Sequence, residues 1–253
     1  MNISIFLITA IFFISLVLTM VGLGGGLIFS PLFVILGFAK AGAASASLFL
    51  NFTAAASAAY AYSQKKMVDF SLAIPLIISS CLAAPLGAFL NVHIDPKPFL
   101  IILAIVLALA GGRMLMSPGT EIKTSNITSK RKFIYGIGIG GCIGLVGGLL
   151  GIGGGVFIVP LLIYVVQTPT KVAAATSTFI VCFSSLTGFL GYASMGEINW
   201  LFILPAAVVC FAGGQAGARI MSSSRLKGKS IRVIFSIILF GFCIKLLYQA
   251  ILG

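Results

Sequence analysis

The chain is a succession of apolar stretches that almost nothing polar interrupts. Ten can be marked: 3–21, 26–38, 42–62, 70–91, 97–116, 132–150, 155–167, 172–195, 198–220 and 231–252. Only 117–131, from Ser117-Pro-Gly-Thr-Glu to Ser129-Lys-Arg131, is clearly polar. A membrane-crossing helix takes about 20 apolar residues, so 253 residues accommodate this number of segments and no soluble domain. Charged residues make up 8% of the chain, against about a quarter in soluble domains. One compact body lacks the interior to hide so much apolar surface. The expected fold is therefore an all-α polytopic membrane protein whose environment is the lipid bilayer. A nucleic-acid binder, a secreted disulfide scaffold and a cytosolic enzyme are excluded at this step.

The two halves repeat each other. Val21-Gly-Leu-Gly-Gly-Gly-Leu-Ile-Phe-Ser-Pro31-Leu matches Leu150-Gly-Ile-Gly-Gly-Gly-Val-Phe-Ile-Val-Pro160-Leu at an offset of 129. Lys40-Ala-Gly-Ala-Ala-Ser-Ala-Ser47 aligns with Lys171-Val-Ala-Ala-Ala-Thr-Ser-Thr178 at 131. Val68-Asp-Phe70 and Ile198-Asn-Trp200, Pro75 and Pro205, and Gly87-Ala88 and Gly217-Ala218 align at 130. The organisation is a first membrane repeat (1–116), a linker (117–131) and a second membrane repeat (132–253). Internal duplication of this size points to a transporter-like architecture.

Each half holds five segments, an odd number, so the second half is expected to run upside down. Charge agrees. If the chain changes side after each segment, thirteen cations, Lys65, Lys66, Lys171 and Arg219 among them, share one side, and Lys40, Lys97 and Lys245 take the other. Cationic loops stay cytoplasmic. The linker is then cytoplasmic and both termini lie outside, which also accounts for the net charge of +12. The N-terminus lacks the basic region of a signal peptide, so the first segment is expected to stay in the mature chain.

Three consecutive glycines make poor helix interior, so the backbone should break at Gly22-Leu-Gly-Gly-Gly26 and Gly151-Ile-Gly-Gly-Gly155. Each break precedes a segment too short for a relaxed span, which favours a re-entrant hairpin or broken helix in both halves. Free amides at membrane depth need a partner. A helix N-terminus offers such amides and about half a positive charge, and glycine lets a ligand approach closely. Gly24, Gly25, Gly26, Gly153, Gly154 and Gly155 are therefore candidate anion ligands. Gly136, Gly140, Gly144 and Gly148 recur every fourth residue and read as helix packing.

Ser47, Asn51 and Ala54 lie on one helix face, and Thr178, Cys182 and Ser185 lie on the matching one at offset 131. Ser47, Asn51, Thr176, Ser177, Thr178 and, on the ninth segment, Gln215 are candidate substrate ligands. Ordinary interhelical hydrogen bonding accounts for such groups equally well. Asn51 stands out because a buried amide needs several partners. Asp69, Asp95, Glu197 and His93 fall in loops or at segment ends, so no buried proton relay is expected. Arg113, Arg219 and Lys245 read as snorkelling residues. Cys81, Cys142, Cys182, Cys210 and Cys243 all sit in apolar stretches and read as small hydrophobes. No catalytic group, metal site or cofactor is called for.

The paired Gly-x-Gly-Gly-Gly-x4-Pro-Leu runs at Gly22–Leu32 and Gly151–Leu161, each followed by a small-residue helix (Ala43–Ser47, Ala174–Thr178), resemble the TauE/SafE sulfite-exporter family. The likeness covers nearly the whole chain. It implies transport of small sulfur-containing anions such as sulfite, sulfonates or sulfoacetate-like compounds. The second half carries Thr176-Ser-Thr178 where the first has Ser45-Ala-Ser47, so the two half-sites differ chemically. The expectation is a secondary transporter in a bacterial or archaeal plasma membrane, its anion held near the midplane by helix N-termini of both repeats. An anion channel and a thiosulfate-type importer using membrane cysteines are the alternatives. A homo-oligomer and coupling to a proton or another ion are compatible with the sequence, which fixes neither.

Overall fold

A computed structural model describes residues 5–38, 40–91, 129–194 and 200–223, with single helical positions at 104, 108 and 112 and scattered ones between 230 and 248. Most of the fifth apolar segment and of the linker, and half of the tenth segment, lie outside the described residues, as do His93, Asp95, Lys97, Arg113 and Glu197. The first half supplies α1 (Ile5–Val21), α2 (Gly26–Ile35), α3 (Lys40–Gln64) and α4 (Phe70–Asn91). The second supplies α5 (Ser129–Leu150), α6 (Gly155–Tyr164), α7 (Thr170–Ala193) and α8 (Trp200–Ser222). The protein is an all-α membrane protein. Helix α5 includes the last three residues of the stretch assigned to the linker, where Lys-Arg-Lys sustains a helix well.

Helix length separates the elements into roles. The stretches Phe70–Leu90, Thr170–Ala193 and Trp200–Ser222 are long and apolar enough to cross a membrane. Helices α2 and α6 have 10 residues each, about 15 Å and so half the hydrocarbon thickness. Helix α3 has 25 residues but is built largely of alanine and serine. It can afford that composition because α7 and α8 enclose it, and the alanines at 43, 44, 46, 54, 55 and 58 are buried. The lipid-facing stripes lie further out. On α4, Phe70, Ile74, Ile78, Leu82, Leu86 and Phe89 are exposed at spacings of three and four. On α8, Leu201, Leu204, Val208 and Phe211 do the same. Such a stripe marks one helix face, and in a bilayer it meets acyl chains.

The packing pairs exchange when the halves are exchanged. Helix α1 packs on α8 and α5 on α4; α3 packs on α8 and α7 on α4; α3 and α7 meet each other. Each half thus leans on the fourth helix of the other. Helices α3 and α7 cross antiparallel: Leu48 lies against Gly188, the tilted rings of Phe49 and Phe189 have centroids 4.9 Å apart, and Asn51 meets Ser185.

The Gly136–Gly148 ladder of α5 is the seam with α4. A Cβ on Gly136 would sit 2.8 Å from Pro75, one on Gly144 2.5 Å from the Ser80 Cα, and one on Gly148 2.8 Å from the Ala84 carbonyl carbon. Small residues let two backbones approach this closely and gain van der Waals contact where no hydrophobic drive exists. Gly138 and Gly141 of the same helix have open space where a Cβ would go. Gly144→Leu should therefore lower stability by about 1–3 kcal/mol, the usual cost of overpacking, while Gly138→Leu and Gly141→Leu leave thermal unfolding in detergent unchanged. Equal shifts for all three would contradict the seam.

Candidate functional site

Both first helices of the halves end in the same way. Leu23 N–H donates to the Leu18 carbonyl (2.8 Å) and Gly22 N–H to that of Thr19 (3.1 Å). In the second half Ile152 N–H donates to Gly147 (3.0 Å) and Gly151 N–H to Gly148 (3.2 Å). This six-to-one, five-to-two pair is the Schellman termination, which needs a left-handed residue after the helix. Gly22 (φ 92°) and Gly151 (φ 67°) supply it. A buried tyrosine gives one of these carbonyls a second donor in each half: Tyr62 O–H donates to Thr19 (3.0 Å) and Tyr192 O–H to Gly148 (3.0 Å). Four residues after Gly22 and Gly151 the next helix begins, at Gly26 and at Gly155. The expected breaks are present in both halves.

The two turns are then clasped by each other's half. A Cβ on Gly22 would lie 2.7 Å from the Ala174 Cα, and one on Gly151 would lie 2.6 Å from the Ala44 Cβ. Ser177 Oγ donates to the Gly22 carbonyl (2.8 Å), and Ser47 Oγ donates to that of Gly151 (3.1 Å) and of Gly26 (3.0 Å). The turns also touch directly. The Cβ position of Gly26 is 2.8 Å from the Ile152 oxygen, and that of Gly155 is 2.9 Å from the Leu23 oxygen. Two helix N-termini, one from each half, thus come together in the buried centre of the protein.

These contacts set the register between the halves, and it is 130, where sequence matching of this helix used 131. Ser47 and Ser177 play the same part, as do Ala44 and Ala174, and Tyr62 and Tyr192. The counterpart of Asn51 is therefore Val181, not Cys182, and that of Ala54 is Ser184, not Ser185. One residue along a helix is a rotation of about 100°, so the slip moves each comparison to another face. The glycine turns align at 129 and the connection before α7 is one residue longer than that before α3, which gives 130; the match at 131 went one residue too far.

Asn51 is completely buried and its carboxamide is fully engaged by protein. Its Oδ1 accepts the Gly25 N–H at the start of α2. Its Nδ2 donates to Ser185 Oγ (2.7 Å) and to the Ile152 carbonyl (3.4 Å) of the other half. Gly24 and Gly153 both lie against this amide, and Val181 Cγ1 faces the same two glycines. Ser184 Oγ donates to the Gly153 carbonyl (3.1 Å).

The other sequence candidates are placed differently. Thr178 Oγ1 bonds back to the Ala174 carbonyl (2.9 Å) within its own helix. Thr176 Oγ1 accepts the Asp69 N–H (3.0 Å), tying α7 to the start of α4. Gln215 Oε1 accepts from Ser57 Oγ (3.1 Å), a turn and a half along α3 from Asn51. Sequence reading missed Tyr62, Tyr192, Val181 and Ser184; a uniform offset of 130 would have paired all four. Among the described residues no group of three His, Cys, Asp or Glu could hold a metal. What the centre offers is amide donors, hydroxyls and the positive ends of two helix dipoles.

Comparison with known proteins identifies the family. The family model for the sulfite exporter TauE/SafE matches residues 7–246. A Bacillus subtilis protein named "Probable membrane transporter protein YunE" is 28% identical over 92% of this chain and 93% of its own length. A "Probable membrane transporter protein" of Xylella fastidiosa is 24% identical over 94% of this chain and 92% of its own. "Sulfite exporter TauE/SafE family protein 2" of Arabidopsis thaliana is 35% identical over 37% of this chain and 20% of its own length. No solved structure matches the chain. With twin glycine turns, duplicated halves and a match across nearly its whole length, the chain belongs to the TauE/SafE sulfite exporter family of membrane transporters.

Proposed function

We propose that the protein is a secondary transporter of small sulfur-containing anions, of the sulfite, sulfonate or sulfoacetate class. The observation that carries this reading is the meeting of the two helix N-termini across contacts that only glycine permits. In lipid the first amides of a helix have no water to bond, and a small oxyanion satisfies several at once while meeting the favourable end of the dipole. The centre is closed to solvent on every side, since Gly24–Gly26, Gly153–Gly155, Asn51 and Ser185 are all buried. Transport then requires the halves to part and open the turns to one side at a time. The exchanged packing, with each half resting on the fourth helix of the other, suits rocking of one repeat against its inverted partner. Cation placement orients the protein with the 117–131 linker in the cytoplasm of a bacterial or archaeal cell and both termini outside.

Proteoliposomes test the reading. Sulfite uptake should saturate and show counterflow; ohmic current without saturation would favour a channel. Gly154→Ala is the matching variant. Gly154 has φ 79°, and its Cβ would fall 2.5 Å from Ile143 Cγ2, so alanine distorts the α6 tip. Uptake should fall at least tenfold, while Gly138→Ala transports as the parent does. Full uptake by Gly154→Ala would refute the amide site.

A further inference from the structure

We propose that the two ends of the transporter are closed by unlike gates: a hydrogen-bonded latch at the linker end and an aromatic plug at the opposite end. This rests on the reading above that the halves part at one end at a time, and it assigns what holds each end shut. At the linker end α3 and α8 finish while α4, α5 and α7 begin. Thr176 Oγ1, completely buried on α7, accepts the Asp69 N–H (3.0 Å) just before α4. Asp69 is fixed in turn, because its Oδ1 caps α4 by accepting the Ser71 N–H (3.1 Å). Lys65 Nζ, just past α3, donates to Ser222 Oγ (2.5 Å), the last residue of α8. Each bond joins a residue of one half to a residue of the other, so both break when the halves part here. At the opposite end three rings take this part. Phe202, near the start of α8, meets Phe33 of α2 edge-on (5.3 Å between centroids) and Phe38 at 5.2 Å. These contacts also cross between the halves.

Inverted repeats make the difference meaningful. Were the halves identical, opening at either end would cost the same, so any preference lies in residues that differ between them. At the offset of 130 the counterpart of Thr176 is Ala46, which has no acceptor, and that of Lys65 is Met195, which has no donor. Ser222 corresponds to Val92. The opposite end therefore cannot repeat either bond through the equivalent side chains. The linker end cannot repeat the plug: Phe202 corresponds to Leu72, and Phe33, at the offset of 129 that holds for the short helices, to Leu162. Each gate thus sits where its counterpart is chemically incapable of the same contact. Parting the latch costs directional bonds, and parting the plug costs ring burial.

Thiol labelling of purified protein in detergent tests the assignment. Ala43 and Ala173 are counterparts at 130 and completely buried; Ala43 shares an apolar cluster with Phe33 and Phe202, Ala173 one with Leu72 and Leu162. Each serves as a single reporter, Ala43→Cys or Ala173→Cys, in protein whose five native cysteines are replaced by alanine. The latch variant, Lys65→Met with Thr176→Ala, gives each residue the identity of its counterpart; the plug variant, Phe33→Leu with Phe202→Leu, does the same. A polar maleimide should label Ala173→Cys about fivefold faster in the latch variant, the effect of one net hydrogen bond, and label Ala43→Cys more slowly. The plug variant should do the reverse, because weakening one gate draws population away from the other opening. Thr176→Ser keeps the acceptor and should label as the parent does. Faster labelling of both reporters in either variant, or unchanged rates in folded variants, would overturn the two gates and leave the anion site and the parting of the halves standing. Lys65 and Ser222 lie at the surface, so Lys65→Met alone carries the latch arm if the double variant fails to fold. Absence of labelling at both reporters in every protein would overturn the parting of the halves and the gates together.

Discussion

A backbone that breaks in the middle of a bilayer must find partners for its exposed amides and carbonyls, because lipid provides none. Everything at the centre of this protein follows from that demand. The last carbonyls of α1 and α5 are met by a Schellman turn and a tyrosine. The carbonyls of Gly22 and Gly151 are met by a serine from the opposite half. The amide of Gly25 is met by Asn51. Neither half completes its own turn. A single repeat would leave its glycine carbonyl without a donor, each loss costing on the order of 1–3 kcal/mol. The mutual clasp therefore makes the duplicated halves interdependent.

That dependence explains the composition of the two central helices. Helices α3 and α7 face protein over most of their length, so they need small side chains and hydroxyls rather than large apolar ones. The burden of meeting lipid falls on α4 and α8, whose exposed stripes of leucine, isoleucine and phenylalanine mirror each other. The central pair is thereby free to carry polar groups at membrane depth, where each one must be matched. Ser47, Asn51, Ser177 and Ser184 are matched to backbone across the breaks. These hydroxyls position the turns; the turns, in turn, present the amides.

Much of this was legible in the chain itself. Apolar segment length gave the helices to within a few residues, because lipid thickness leaves little choice. The glycine runs announced the breaks, because no other residue tolerates the left-handed termination followed by so close an approach. What escaped was the register of α3 against α7. Alanine and serine recur every few positions in these small-residue helices, so the match slid one residue past the offset of 130 that the contacts set. Once shifted, the comparison paired Asn51 with Cys182 and hid the contrast with Val181. The tyrosines escaped for another reason: at positions 62 and 192 they lie in apolar surroundings and resemble core residues until their hydroxyl partners are seen. For Gln215 and Thr176 the spacing along one helix could not show their partners, Ser57 and the Asp69 amide.

The central claim is that the anion sits on backbone amides where the two turns meet. The most direct measurement is anomalous diffraction from crystals grown with selenite, whose selenium marks the oxyanion. The account predicts a peak at the junction of the turns, with an oxyanion oxygen at hydrogen-bond distance, about 2.9 Å, from backbone amides there. A peak confined to the cationic loops around Lys65, Lys171 and Arg219, with the turns empty, would contradict it.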